Sequence, residues 1–198
     1  MPLKFYTIRE PTTGLFKDRG SKFLSFAYPV STVEEVSTRL TELKKKYHDA
    51  RHWCYAYSIG TKKVSIRAND DGEPMHSAGD PILGQLKSHG LSDCLVVVVR
   101  YFGGTKLGVP GLINAYKTAA SEALGMATKE EIIDRTELQL SFSYEKMGLI
   151  ERWISEFEAV DVQRTYKTSC AIQFKIKTEA MDALLVRLTD QPDISMKQ

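Results

Sequence analysis

Hydrophobic and polar positions along this 198-residue chain repeat with two periods, and the switches between them mark out its elements. Residues 5–9 and 22–30 are rich in aromatic and β-branched side chains and predict two strands, paired antiparallel around the breaker Pro11-Thr-Thr-Gly14. Behind a capping box, Ser31-Thr-Val-Glu34, the residues Val33, Val36, Leu40, Leu43 and Tyr47 recur every three or four positions and predict an amphipathic helix over 32–49. Residues 52–59 and 64–68 read as a hairpin turned at Gly60-Thr-Lys-Lys63. In its first strand the bulky Trp53, Tyr55, Tyr57 and Ile59 alternate with the smaller or polar His52, Cys54, Ala56 and Ser58. A loop over 69–79 leads to a short helix opened by Asp80-Pro81 and ended at Gly90. An apolar run then predicts a central strand over 94–102, buried on both faces. The helix expected over 112–126 carries Ala115, Ala119, Ala120 and Ala123, which permit close packing on a sheet.

Residues 128–135 are polar around Ile132 and Ile133 and read as a linker. The pattern then restarts: strand 137–145, helix 147–159, strands 161–168 and 170–177, helix 179–190, and a short strand over 193–197. This βαββαβ order predicts a ferredoxin-like α/β sandwich over 136–198, behind a first domain over 1–130, in an α+β protein. The longest apolar run, 95–99, is far short of the roughly 20 residues of a membrane span, and the N-terminus carries no signal-peptide core. A cytoplasmic protein without membrane contact is therefore expected. Three widely spaced cysteines predict reduced, buried thiols. A formal charge of +2 does not diagnose a nucleic-acid binder, so only local clustering of charge is informative.

Such a cluster stands where the central strand empties into a glycine-rich, basic, aromatic loop and then a helix. The candidate phosphate- or nucleic-acid-binding residues are Arg100, Tyr101, Phe102, Gly103, Gly104, Thr105, Lys106, Gly108, Gly111, Tyr116 and Lys117. Glycines let a backbone approach a ligand closely, Arg100 and Lys106 supply charge, Tyr101 or Phe102 offers a stacking face, and a helix N-terminus favours an anion. The loop has neither the Lys-Ser/Thr ending of a Walker A loop nor the dinucleotide fingerprint. Asn69-Asp-Asp-Gly-Glu-Pro74 brings carboxylates together and invites a divalent cation. An acidic turn, with Asp70 or Asp71 bonding backbone amides and Gly72 at positive φ, accounts for it better. His52 and Cys54 share a strand face and His76 is a further candidate base, but a buried thiol beside a histidine explains them more simply. Lys22, His52, Asp70, Asp71 and Glu73 are accessory candidates at the same corner, and Arg19 and Lys62 belong to the wider set of basic residues in this domain. No catalytic residue, metal site or cofactor is expected.

Tyr55-Ala-Tyr57, Asp70-Asp-Gly-Glu-Pro74, Ala78-Gly79 with Pro81-Ile-Leu83, Val98-Val-Arg-Tyr-Phe-Gly-Gly-Thr-Lys-Leu-Gly108 and Gly111-Leu-Ile-Asn-Ala-Tyr116 together resemble the IMPACT/YigZ family over about residues 16 to 126. A short ferredoxin-like C-terminal domain, as bacterial members carry, extends the resemblance to the whole chain. The resemblance implies a first domain with the β-α-β fold of the second domain of ribosomal protein five, shared with elongation factor G domain IV. It also implies a second domain like domain V of that factor. In eukaryotic relatives the family is associated with translation control through the amino-acid-starvation kinase pathway. Met75-His-Ser77 and Val109-Pro110 depart from the commoner pattern, and both flank the corner.

The leading expectation is a non-enzymatic RNA- or ribosome-associated protein, a regulator of translation that holds backbone phosphate at the glycine corner. One rival is an enzyme acting on a phosphorylated small molecule, with Asp70, Asp71 or Glu73 as metal or base partner. Another is a protein-interaction module with a regulatory protein partner.

Overall fold

The computed structural model describes residues 5–61, 63–166 and 170–197; Lys62 and the end of the strand expected over 161–168 lie outside them. The chain divides into two compact units, Met1–Ile132 and Ile133–Gln198.

The first unit is built on a five-stranded antiparallel sheet. Its strands are β2 (Thr12–Asp18), β3 (Ser21–Pro29), β4 (His52–Ile59), β5 (Ser65–Asn69) and β6 (Cys94–Tyr101), in the order β2-β3-β6-β4-β5. Alternation sends Val96 and Val98 of β6 to one face and Leu95, Val97 and Val99 to the other, and all five are fully buried. On the first face pack α2 (Gly79–Ser88) and α3 (Gly108–Gly125), through Ile82, Leu86, Leu112, Ala115, Tyr116, Ala119 and Ala123. On the second packs α1 (Val33–Lys46), through Val36 and Leu43. A central strand buried on both faces is what the apolar run of β6 requires.

Three local expectations change. The first strand, β1 (Phe5–Ile8), does not pair with 22–30; its partner is β7 (Lys129–Ile132), inside the stretch read as a linker. The partner of β3 is instead β2, which contains the supposed breaker. Gly14 belongs in that strand because a Cβ there would lie 2.7 Å from both the Ala123 backbone nitrogen and Ser25 Oγ. Close packing of α3 across β2 thus selects the glycine that imitates a turn. The α1 cap sits one residue later than the sequence suggests: Thr32 Oγ1 accepts the Glu35 N–H, and the Glu35 carboxylate accepts from Ser31 N at 2.6 Å.

The second unit has β8 (Arg135–Phe142), α4 (Met147–Glu156), β9 (Val160–Tyr166), β10 (Cys170–Lys177), α5 (Met181–Thr189) and β11 (Ser195–Lys197). They form a four-stranded antiparallel sheet ordered β11-β8-β10-β9. Leu138, Leu140, Phe142, Ile172, Phe174 and Ile176 line the face that packs against Ile150, Trp153, Ile154 and Leu184 of the helices.

Candidate functional site

At one end of the first sheet, β6 releases the chain into an exposed loop over 102–106, and α3 begins at Gly108, four residues earlier than periodicity indicates. Pro110 falls in the first turn of α3, where its missing N–H and fixed φ cost little. The N-terminus of this 18-residue helix has no side-chain cap and no acidic residue in its first turn. Its first N–H groups therefore carry the positive end of the helix dipole with no acidic residue in their own turn. Gly104 and Gly108 take φ +90° and +71°, conformations that L side chains rarely adopt. Phe102, Gly103, Gly104, Thr105 and Lys106 are all exposed, as is Lys117 further along the helix.

The loop is clamped to the β2–β3 turn. A Cβ on Gly103 would stand 1.9 Å from the Gly20 carbonyl carbon and 2.1 Å from Ser21 N, so only glycine allows this approach of two backbones. The Gly103 N–H donates to Ser21 Oγ at 3.1 Å. Gly111 allows a second approach, with its missing Cβ 2.9 Å from that of Leu107.

Beneath the loop lies a buried polar network. Arg100 Nη1 donates to Glu73 Oε1 at 2.5 Å, and the Tyr116 hydroxyl donates to the same oxygen at 2.7 Å. The Arg100 and Glu73 side chains are only 8% and 4% exposed, so this is an interior ion pair. Tyr116 is fully buried, edge-on to Phe23 at 5.2 Å, while the Arg100 guanidinium lies 5.5 Å from the Phe23 ring and 5.7 Å from that of Phe102. The Cys54 thiol lies 2.9 Å from the Asp70 carbonyl oxygen and 3.3 Å from the Tyr116 hydroxyl. Burial pushes this thiol above the usual range, and burial, with Cys54 and Glu73 nearby, does the same to the Tyr116 phenol. Cys54 is thus a buried thiol held in its protonated form.

The acidic segment forms a braced turn. Asp70 accepts the N–H groups of His76, Ala78 and Gly79 at 2.8–2.9 Å and so caps α2. Burial opposes its charge, but the three donors outweigh it and hold the carboxyl below the usual range. The Asp71 carboxylate accepts the Trp53 N–H at 2.7 Å and faces Lys44, and its carbonyl meets His52 Nδ1 at 2.9 Å. Gly72 has φ +89° and stands against the His52 ring. His76 Nδ1 contacts Asp80 at 2.6 Å.

The structure therefore separates the predicted residues into two layers. Gly103, Gly104, Thr105, Lys106 and Gly108 make the surface, together with Phe102 on the loop. Arg100, Tyr116 and Glu73 support it from inside, so the Arg100 charge is spent within the protein. His52, Asp70 and Asp71 brace the neighbouring turn. Tyr101 donates its hydroxyl to Asp49 at 2.7 Å, which raises the phenol to about 12, and Lys22 stands beside Tyr101 in register on β3. Ser21 and Phe23, which fix the loop and the network, carried no sequence signal beyond strand alternation.

A sheet covered on both faces, with a glycine corner at the mouth of its central strand, defines a mixed α/β protein of the Impact N-terminal domain type; the family model of that description matches residues 19–124. The chain is 33% identical to the IMPACT family member YvyE of Bacillus subtilis, over 94% of this chain and 86% of that one. It is 28% identical to the IMPACT family member YigZ of Escherichia coli, over 91% and 89%. A crystal structure of a hypothetical protein superposes with a TM-score of 0.74 at 25% identity, covering 99% of this chain and 97% of that one. This chain belongs to the IMPACT family.

Proposed function

We propose that the protein binds RNA, alone or within the ribosome, by holding backbone phosphate at the glycine corner, and that it acts in the regulation of translation in the cytoplasm. The observation that carries this reading is the α3 N-terminus, long, uncapped, free of acidic residues and fronted by exposed Gly104, Thr105 and Lys106. Phe102, 57% exposed, adds an aromatic face for an unpaired base. The link to translation rests on family membership. Among the described residues no helix is long and apolar enough to cross a membrane.

The same reading assigns the first unit, over about 1–130, the fold of the second domain of ribosomal protein five and elongation factor G domain IV. It assigns the second unit, 136–198, a ferredoxin-like sandwich comparable with domain V. The 4-1-3-2 strand order of the second sheet supports the latter. An enzyme acting on a phosphorylated small molecule would require an available carboxylate at the corner. Asp70, Asp71 and Glu73 are each engaged by backbone N–H groups, by Lys44, or by Arg100 and Tyr116.

Titration of a fluorescent single-stranded RNA at several salt concentrations tests the proposal. Wild type is expected to bind with affinity that falls as salt rises, and Lys106→Glu to lose most of that affinity at low salt. Absence of salt-dependent binding, or wild-type affinity in the variant, overturns it.

A further inference from the structure

The β2–β3 turn is a two-residue hairpin loop, Arg19-Gly20, closed by the pair Asp18 and Ser21. Both loop residues have positive φ, +44° and +80°. That is the pattern of the type I′ turn, whose first position favours Asn, Asp or Gly because their side chains tolerate the left-handed region. Arginine is a poor choice there on local grounds.

The residues flanking the turn break a second rule. Lys17 of β2 and Lys22 of β3 are direct cross-strand partners, so their side chains leave the same face side by side. Like charges placed opposite each other destabilise a sheet. Both lysines and Arg19 are exposed, and among the described residues none of the three has an ion-pair or side-chain hydrogen-bond partner. The turn is also the element locked against the glycine loop through Gly103 and Gly20. Arg19 thus stands in the turn held against the exposed Lys106 loop, and Lys17 and Lys22, which leave the α1 face of the sheet beside Tyr101, continue the cationic rim of this sheet end on the side away from α3.

We infer that the β2–β3 turn is the second half of the nucleic-acid surface: Lys17, Arg19 and Lys22 take successive phosphates of a single-stranded RNA whose neighbouring phosphate lies at the glycine corner. This rests on the RNA reading above and extends it to residues outside the corner. A polyanion relieves the Lys17–Lys22 repulsion, which gives the local cost of these residues a physical return in the complex. An unpaired strand is the matching form, since an exposed Phe102 stacks only on a base free of its partner.

The test uses the full chain, an oligouridylate of about 12 nucleotides, and a polyglutamate of similar charge as control. With four cations engaged, the plot of log K against log salt has an expected slope of about −2.8, against about −0.7 for Lys106 alone. Arg19→Asn is expected to raise the melting temperature, because it restores the preferred turn residue, while making the slope shallower by about 0.7. Lys22→Thr is expected to act in the same two directions, and the double variant to sum them. Gains in melting temperature with slopes and affinities unchanged overturn the assignment while leaving the glycine corner as the site, provided Lys106→Glu still loses most of the affinity at low salt. Absence of RNA binding by the wild type removes both proposals. Equal binding of polyglutamate, lost in the same variants, identifies an acidic protein surface as the partner and overturns the RNA assignment.

Discussion

Replacement of Glu73 by leucine leaves the Arg100 guanidinium without its carboxylate in a place where the two side chains are 8% and 4% exposed. Breaking a buried ion pair by removing one partner costs about 3–5 kcal/mol, because the remaining charge stays desolvated and unpaired. The Tyr116 hydroxyl loses its acceptor at the same time, for about 1 kcal/mol or more. These penalties share one site and do not add fully, so Glu73→Leu is expected to destabilise the first unit by about 4 kcal/mol. Glu73→Gln retains an acceptor oxygen but no charge and is expected to cost about half of that. The double variant Glu73→Leu/Arg100→Met removes both charges and is expected to be more stable than Glu73→Leu alone, since an apolar pair replaces an ionic one at little net cost. The chain has two tryptophans, Trp53 in the first unit and Trp153 in the second. In a Trp153→Phe background, indole fluorescence during guanidinium denaturation reports the first unit alone. A Glu73→Leu cost below about 1 kcal/mol, or a double variant less stable than the single one, would refute the reasoning.

Two further outcomes follow from the site geometry. Gly103→Ala places a Cβ into the Gly20–Ser21 backbone and is expected to cost about 3 kcal/mol, whereas Gly104→Ala meets nothing within 4 Å and is expected to cost about 1–2 kcal/mol through its positive φ; equal midpoints in denaturant would contradict this. Asp70→Asn weakens the α2 cap by about 1 kcal/mol near neutral pH. Because the folded carboxyl is held below its usual range, the stability it supplies is present above about pH 4 and is lost as pH falls through the folded pKa. The gap between wild type and Asp70→Asn is therefore expected to close on acidification, and a gap independent of pH in denaturation curves would show that the carboxylate charge is not what caps α2.

Much of this architecture is legible in the sequence wherever the deciding interactions are local. The alternation of β6 and the three-to-four spacing of α1 each report burial on a known face, and both elements form where expected. The pairing of β1 with β7 is not legible, because it joins residues more than 120 positions apart. Arg100 shows the same boundary within the site. Its place just before the glycine loop suggests a phosphate ligand, yet alternation with Val96 and Val98 puts it on the inward face of a strand already read as buried. An interior arginine demands a carboxylate. The sequence thus contained the need for Glu73 but not its identity, since 27 residues separate the two.

Local rules are also violated at Arg19, Asp71 and His76, all non-glycine residues at positive φ near this end of the sheet. At Asp71 the cost is offset inside the protein: its carboxylate takes the Trp53 N–H, and its own N–H donates to Asn69 at 2.7 Å. At His76 the N–H donates to Asp70 and the ring contacts Asp80. Those two departures are explained by the fold that they brace. Arg19 has no such return among the described residues, although asparagine would satisfy the turn without strain. A departure compensated within the chain is architecture, and one left uncompensated on a cationic surface is where an external anion supplies the missing interaction.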